Sequence, residues 1–265
     1  MCDCQPTNRR DLLVGAALAV PALALPALAW AAGGAHAAPA GPTVPPVEVM
    51  PGLSIYPRAA WGADLPPKGP IRREDPKFML VHHTASPNDY ASARTVIRTT
   101  YFWHTSHDPT KGWPDVAYEF FVGRDGDVWE GRAGALAGPV MASATGGSQG
   151  WAQLVCLLGD FTKVMPTAAA QASLVKVLAW TADRYGIDTS PGATVTFVSR
   201  GSQRFKPGAL VTTPTIAPHR AMSYTGCPGD AFAPHVSELA ARVQAQRAAW
   251  ASVIKPAVRL GLVTP

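Results

Sequence analysis

The sequence predicts a mixed α/β fold, a central β-sheet flanked by helices. Three observations carry this. Short apolar runs of strand length recur through residues 52–254. Three longer stretches with apolar residues at three- and four-residue steps are interspersed among them. With 265 residues, 47% of them hydrophobic and 15% charged, the chain has the material for one core of useful size plus appendages. Interspersed strands and helices argue for one covered sheet rather than separate all-β and all-α parts.

Residues 1–37 read as a secretory signal. Arg9-Arg10 precede a nearly uninterrupted apolar run, Leu12 to Ala32, and Ala35-His36-Ala37 supplies a small-residue cleavage pattern. The adjacent arginines in Asn8-Arg9-Arg10-Asp11-Leu12-Leu13 resemble a twin-arginine signal, a route for folded proteins. The run is long enough to span a bilayer, but Pro21 and Pro26 interrupt it, so no stable membrane anchor is expected after processing. Residues 38–51, rich in Pro, Ala and Gly, read as an extended linker.

The globular region is expected over 52–254, followed by a tail, 255–265. Phe78-Met79-Leu80-Val81-His82 reads as a buried strand, and residues 91–105 as a helix with Ala93, Val96, Ile97, Tyr101 and His104 on one face. Tyr118–Val122 and Val128–Glu130 read as strands joined by the turn Gly123-Arg124-Asp125-Gly126-Asp127. Gln153–Leu158 is a further buried strand. Residues 167–185 form a helix with Thr167 as N-cap, Leu174, Leu178 and Tyr185 inward, and Gly186 as its stop. Thr194–Val198 reads as a weaker strand, 199–217 as a long polar loop, and 230–254 as a last helix burying Val236, Leu239, Val243 and Trp250.

The net charge of +5 favours an anionic partner but is too small to argue for nucleic acid, and no Lys/Arg run is interleaved with aromatics. Of seven histidines, His82 and His83 close an apolar strand, where sheet proteins expose functional side chains. Side-chain alternation sends these two in opposite directions. His219 and Cys227 stand eight positions apart with no local C-x-x-C or H-E-x-x-H, a weak metal signal taken alone. Two imidazoles and a thiolate do match a catalytic zinc centre, which keeps three protein ligands and an open fourth position. Cys156 sits in an apolar run and reads as a core thiol, although counting alone permits a Cys156–Cys227 disulfide.

An ordered set of motifs resembles the zinc-dependent N-acetylmuramoyl-L-alanine amidases and peptidoglycan recognition proteins. The set begins with Pro57-Arg58-Ala59-Ala60-Trp61-Gly62-Ala63 and Val81-His82-His83-Thr84-Ala85. It continues with His104, Gly112-Trp113-Pro114-Asp115-Val116-Ala117-Tyr118, Val122-Gly123-Arg124-Asp125-Gly126 and Glu130-Gly131-Arg132. It ends with Leu158-Gly159-Asp160-Phe161, His219-Arg220 and Cys227-Pro228-Gly229. The resemblance covers about residues 54–245. It implies a mixed sheet with a surface groove for glycan and stem peptide, and Zn²⁺ held by His82, His219 and Cys227. It further implies metal-assisted hydrolysis of the amide between N-acetylmuramic acid and L-alanine. Tyr118 maps onto the family's catalytic tyrosine. Thr225 would help orient the water or the oxyanion. With Cys227 on zinc, a disulfide to Cys156 is disfavoured. The implied partner is peptidoglycan, met as a muramyl peptide by a monomer that is secreted or held in the periplasm or cell wall.

Three positions depart from the family pattern. Glu119 replaces the usual Asn and reads as a solvated strand residue pointing away from the site. Ala137-Gly138-Pro139-Val140-Met141 lacks the family's His, and Cys156 stands where some intracellular relatives carry Glu. Two other readings compete. One is a non-catalytic peptidoglycan-binding sensor, although recognition proteins that lost activity typically lack the ligand cysteine. The other is a structural zinc centre with His83 as fourth ligand, which strand alternation opposes.

Overall fold

The computed structural model describes residues 44–106 and 112–259. The proposed signal (1–37), the linker up to 43 and residues 260–265 of the tail lie outside the described residues. The sheet has seven strands: β1 (Val47–Met50), β2 (Leu53–Tyr56), β3 (Phe78–His83), β4 (Phe120–Val122), β5 (Val128–Glu130), β6 (Ala152–Leu157) and β9 (Ile216–Pro218). Their order is β1-β2-β5-β4-β6-β3-β9. β1/β2 and β4/β5 are antiparallel, while β2/β5, β4/β6, β3/β6 and β3/β9 are parallel. The sheet is therefore mixed, as expected.

β3 and β6 are buried along their whole length because helices cover both faces. Phe78, Leu80, Leu154 and Cys156 pack with Trp61 of α1 (Ala59–Gly62) and with Ile97 and Tyr101 of α2 (Ala93–His104). Met79, Val81, Val155 and Leu157 face α3 (Ala168–Tyr185) and α4 (Leu239–Arg259), meeting Leu174, Leu178, Leu239 and Val243. Burying each such side chain contributes about 1.5–3 kcal/mol. α3 has the termini its sequence announces. The Thr167 hydroxyl accepts the N–H of Ala170, and Gly186 ends the helix in the left-handed region (φ 65°), where glycine pays no steric penalty.

Several expectations need correction. Residues 199–217 are not a loop throughout: β8 (Leu210–Pro214) pairs antiparallel with β7 (Thr194–Val198) as a separate ribbon, and β9 follows immediately. The sheet also begins inside the supposed linker, since β1 hydrogen-bonds along β2. Residues 233–238 form a 3-10 turn before α4, which runs on to Arg259 into the supposed tail. Tyr118 and Glu119 precede β4 rather than belonging to it. Glu119 is fully buried rather than solvated. Among the described residues no helix is long and apolar enough to cross a membrane.

Candidate metal centre

His82, His219 and Cys227 are all buried, and their ligand atoms lie within 4.8 Å of one another. Each comes from a different setting. His82 lies on the α2 face of β3, beside Cys156 in the β3–β6 register. β9 runs parallel to β3 with Pro218 opposite Val81, so the residue after each strand position is a histidine. The His82 and His219 rings consequently lie side by side, tilted by 30° with centroids 4.2 Å apart. Cys227 arrives from the loop beyond. Its Sγ lies 3.6 Å from His82 Nδ1 and accepts the His83 N–H at 3.3 Å. A backbone dipole aimed at sulfur suits an anionic sulfur ligand. Two imidazoles and a thiolate in a buried triangle are the donor set that zinc prefers, so these residues fit that ion.

His83 faces away. Its Nδ1 accepts the Phe161 N–H at 3.2 Å and its ring meets Phe161 on the α3/α4 side. Alternation along the strand is the cause, and a fourth protein ligand from His83 is thereby removed. Cys156 and Cys227 are not joined in a disulfide.

Tyr118 is buried beside the triangle, its ring centroid 5.0 Å from His82 and 5.4 Å from His104. Its carbonyl accepts the Arg132 N–H at 2.9 Å. The preceding residue, Ala117, donates its N–H to His104 Nδ1 at 3.0 Å. That bond places the neutral imidazole's proton on Nε2. Thr225 is half-buried, and its Oγ1 accepts the Cys227 N–H at 3.3 Å. The structure thus brings all five site residues to one region, with Thr225 joined to the ligand Cys227.

Reading from sequence alone left His104 and Trp113 among motif marks without a site role. Trp113 packs edge-on against His104 at 4.9 Å and lines a cavity of about 630 Å³ whose walls include Lys68, Arg72, Arg132 and Ser143. Among the described residues no acidic side chain lines it. The signal that could have found His104 is its place at the end of an amphipathic face, where a core position would otherwise be apolar.

The hairpin behind Tyr118 is fixed by the lead-in segment. Arg58 pairs with buried Asp115 at 2.9 Å, donates to Gly131 O and Leu65 O, and lies over Trp61. Trp61 Nε1 donates to Glu130 O. Glu119 turns into an interior cluster with Glu74, Arg132 and Gln153. Its Oε2 accepts the Leu154 N–H, and Gln153 Nε2 donates to Glu74 Oε1. Burial raises both carboxyls, Glu74 to about 8, and the charge of Glu74 pushes Glu119 further up. Arg132 does not quench them by direct pairing, since its guanidinium donates to Val116 O, Met141 O and Ser143 Oγ.

A mixed sheet carrying a buried His-His-Cys centre at its edge defines an α/β protein with a metal-ligand site. The chain belongs to the N-acetylmuramoyl-L-alanine amidase family Amidase_2, whose profile matches residues 72–230. It is 32% identical over 186 residues to a human N-acetylmuramoyl-L-alanine amidase, covering 68% of this chain and 27% of that protein. Over 120 residues it is 33% identical to Drosophila melanogaster peptidoglycan-recognition protein LE, covering 44% and 33%. The matches to the human and pig amidases thus span about a quarter of their length. Among solved structures, Drosophila PGRP-LB aligns with a TM-score of 0.52 at 20% identity, covering 69% of this chain and 92% of that one. Drosophila PGRP-SD aligns at 0.53 and 19%, covering 69% and 93%. Both share the fold.

Proposed function

We propose that this chain is a zinc-dependent amidase that hydrolyses the bond between N-acetylmuramic acid and L-alanine in peptidoglycan. The observation that carries the reading is the buried triangle of His82, His219 and Cys227 with the Tyr118 ring beside it. These three residues would hold the ion. When bound, zinc supplies Lewis-acid polarisation of a carbonyl and lowers the pKa of a bound water to roughly 7. Tyr118 donates its hydroxyl hydrogen bond to the oxygen on which charge develops, a contact worth on the order of 3 kcal/mol. His104 packs against Tyr118 and limits its ring orientation. Thr225 Oγ1 accepts the Cys227 N–H, which ties it to the ligand loop, and it would help orient the water. The stem peptide's carboxylates fit the cationic cavity beyond Trp113, where Lys68 and Arg72 offer charge.

The alternative is a binder without catalysis, and the retained ligand Cys227 favours the enzyme over it. Mass spectrometry of purified peptidoglycan digested by residues 38–265 decides between them. Free stem peptides beginning with L-Ala and intact glycan strands are expected. Cut sugars, peptides cleaved between amino acids, or no cleavage would overturn the reading.

We further propose export by the twin-arginine route to the cell wall or beyond, on the strength of Arg9-Arg10 and the apolar run after them. Replacing both arginines with Lys should trap precursor in the cytoplasm. Unchanged export would point to the general secretory route.

A further inference from the structure

We propose that the tip of the β7–β8 ribbon clamps the loop that carries His219 and Cys227, with Ser202 and Arg204 as positioning residues for these ligands. The proposal rests on the reading above that the triangle holds zinc.

His219–Ala221 forms a 3-10 turn whose first carbonyl accepts the N–H groups of Met222 (2.8 Å) and Ser223 (3.3 Å). Carbonyls at the end of so short a turn need partners from elsewhere. The ribbon tip supplies two. Arg204 Nη1 donates to Arg220 O at 2.7 Å, and Ser202 Oγ donates to Met222 O at 2.9 Å. The same Ser202 oxygen accepts the N–H groups of Arg204 (3.1 Å) and Phe205 (3.0 Å). Its one proton and both lone pairs are therefore committed, which leaves the hydroxyl a single orientation.

Arg220 passes the constraint on. Its backbone N–H and its Nε both donate to Cys227 O, at 3.1 and 3.2 Å. The residue gripped by Arg204 thus grips the carbonyl of one ligand while following the other in sequence. The Gly146-Gly147 segment packs against both the loop and the ribbon tip. A Cβ at Gly146 would come within 2.5 Å of Ser223 Oγ and 2.7 Å of Met222 Cβ. One at Gly147 would meet Ser199 Oγ at 2.8 Å. The ribbon itself is anchored, because Phe197 stacks on Phe78 at 5.2 Å and Val211 is buried. Cys227 has no strand to hold it, so outside support must set its place in the triangle.

The test compares wild type with Arg204→Met and with the double variant Ser202→Ala/Arg204→Met. Two readouts are used: zinc affinity by chelator competition, and amide hydrogen exchange of peptides spanning 219–227 in metal-free protein. Zinc affinity should fall by about tenfold in the double variant, the lower end for groups that orient ligands. Exchange over 219–227 should quicken while β3 and β6 keep their protection. Arg204→Lys, which keeps a charged donor, should recover most of both. Unchanged exchange over 219–227 in both variants overturns the clamp. A wild type that binds no zinc would remove the zinc reading, and the exchange comparison would still decide the clamp. Arg204 is exposed, so its single substitution leaves the fold in place if the double variant does not.

Discussion

His82 on β3 and His219, the first residue beyond β9, each follow one member of the register pair Val81–Pro218, and their rings lie tilted with centroids 4.2 Å apart. The pairing of β3 with β9 thus brings together residues far apart in sequence. Cys227 closes the triangle from a loop, which makes it the member whose place depends most on its surroundings.

That geometry gives the first prediction. Purified protein should carry about one zinc per chain, and chelation should abolish hydrolysis, with Zn²⁺ restoring it. Zinc at a hundred times its dissociation constant should also stabilise the fold by about 2.7 kcal/mol, read as a rise in Tm. Full activity in protein shown to be metal-free would end the zinc mechanism.

Tyr118→Phe removes one hydroxyl and keeps the ring that packs on His82, His104 and Phe121. Zinc content and melting temperature should stay near wild type. Turnover should drop by roughly ten- to a thousand-fold, as for one lost oxyanion donor. Steady-state assay on a soluble muramyl peptide would show it, and an unchanged kcat would assign the oxyanion to another group.

The strands buried on both faces, β3 and β6, were legible because each carries an unbroken apolar run, Phe78–Val81 before the histidines of β3 and Leu154–Leu157 after Gln153 in β6. α3 was legible because its cap, apolar face and glycine stop agree. β8 and β9 were not. Thr212 and Pro214 face outward on β8, and the three-residue β9 follows Pro214 closely and itself ends in Pro218, so the stretch carries loop-like composition. β1 was hidden the same way among prolines. Glu119 misled for a different reason: a carboxylate in an apparent strand reads as solvated unless its interior partners are known, and Glu74 and the Leu154 N–H meet it only through the fold. The metal triangle emerged from the motif resemblance, since the spacing of His219 and Cys227 alone is weak and His82 belongs to a distant strand.

The buried carboxyls predict a pH dependence. Burial lifts Glu74 from 4.5 to about 8, so between those values the folded chain holds a proton that the unfolded chain releases. Stability is then full below pH 4.5, falls as pH rises through the window, and levels off above about 8. One proton gives a slope of up to about 1.4 kcal/mol per pH unit. Glu74→Gln keeps an acceptor for Gln153 Nε2 and carries no charge, so it should flatten the fall. Denaturation of metal-free wild type and variant at pH 5 and pH 8 makes the comparison. Parallel losses in the two proteins would place the titrating group elsewhere.

Cys227→Ser separates cutting from binding. A serine hydroxyl is a poor zinc ligand at neutral pH, whereas a thiolate binds well. The swap barely changes volume, and Ser Oγ can still accept the His83 N–H that now reaches Sγ at 3.3 Å. Cys227 O keeps both bonds from Arg220 as well, because those are made to the backbone. The loop should therefore hold its shape while the triangle loses one donor. Zinc binding should be lost or strongly weakened and hydrolysis abolished. Affinity for a muramyl peptide should stay within about tenfold, or ~1.4 kcal/mol, because the cavity beyond Trp113 is built by other segments. Calorimetry with that ligand beside a zinc assay reads both quantities. Retained hydrolysis would strike Cys227 from the catalytic ligands. Loss of fold together with binding would mean that zinc is structural here, and the sulfur would then be holding the β9 end of the sheet rather than serving an open coordination site.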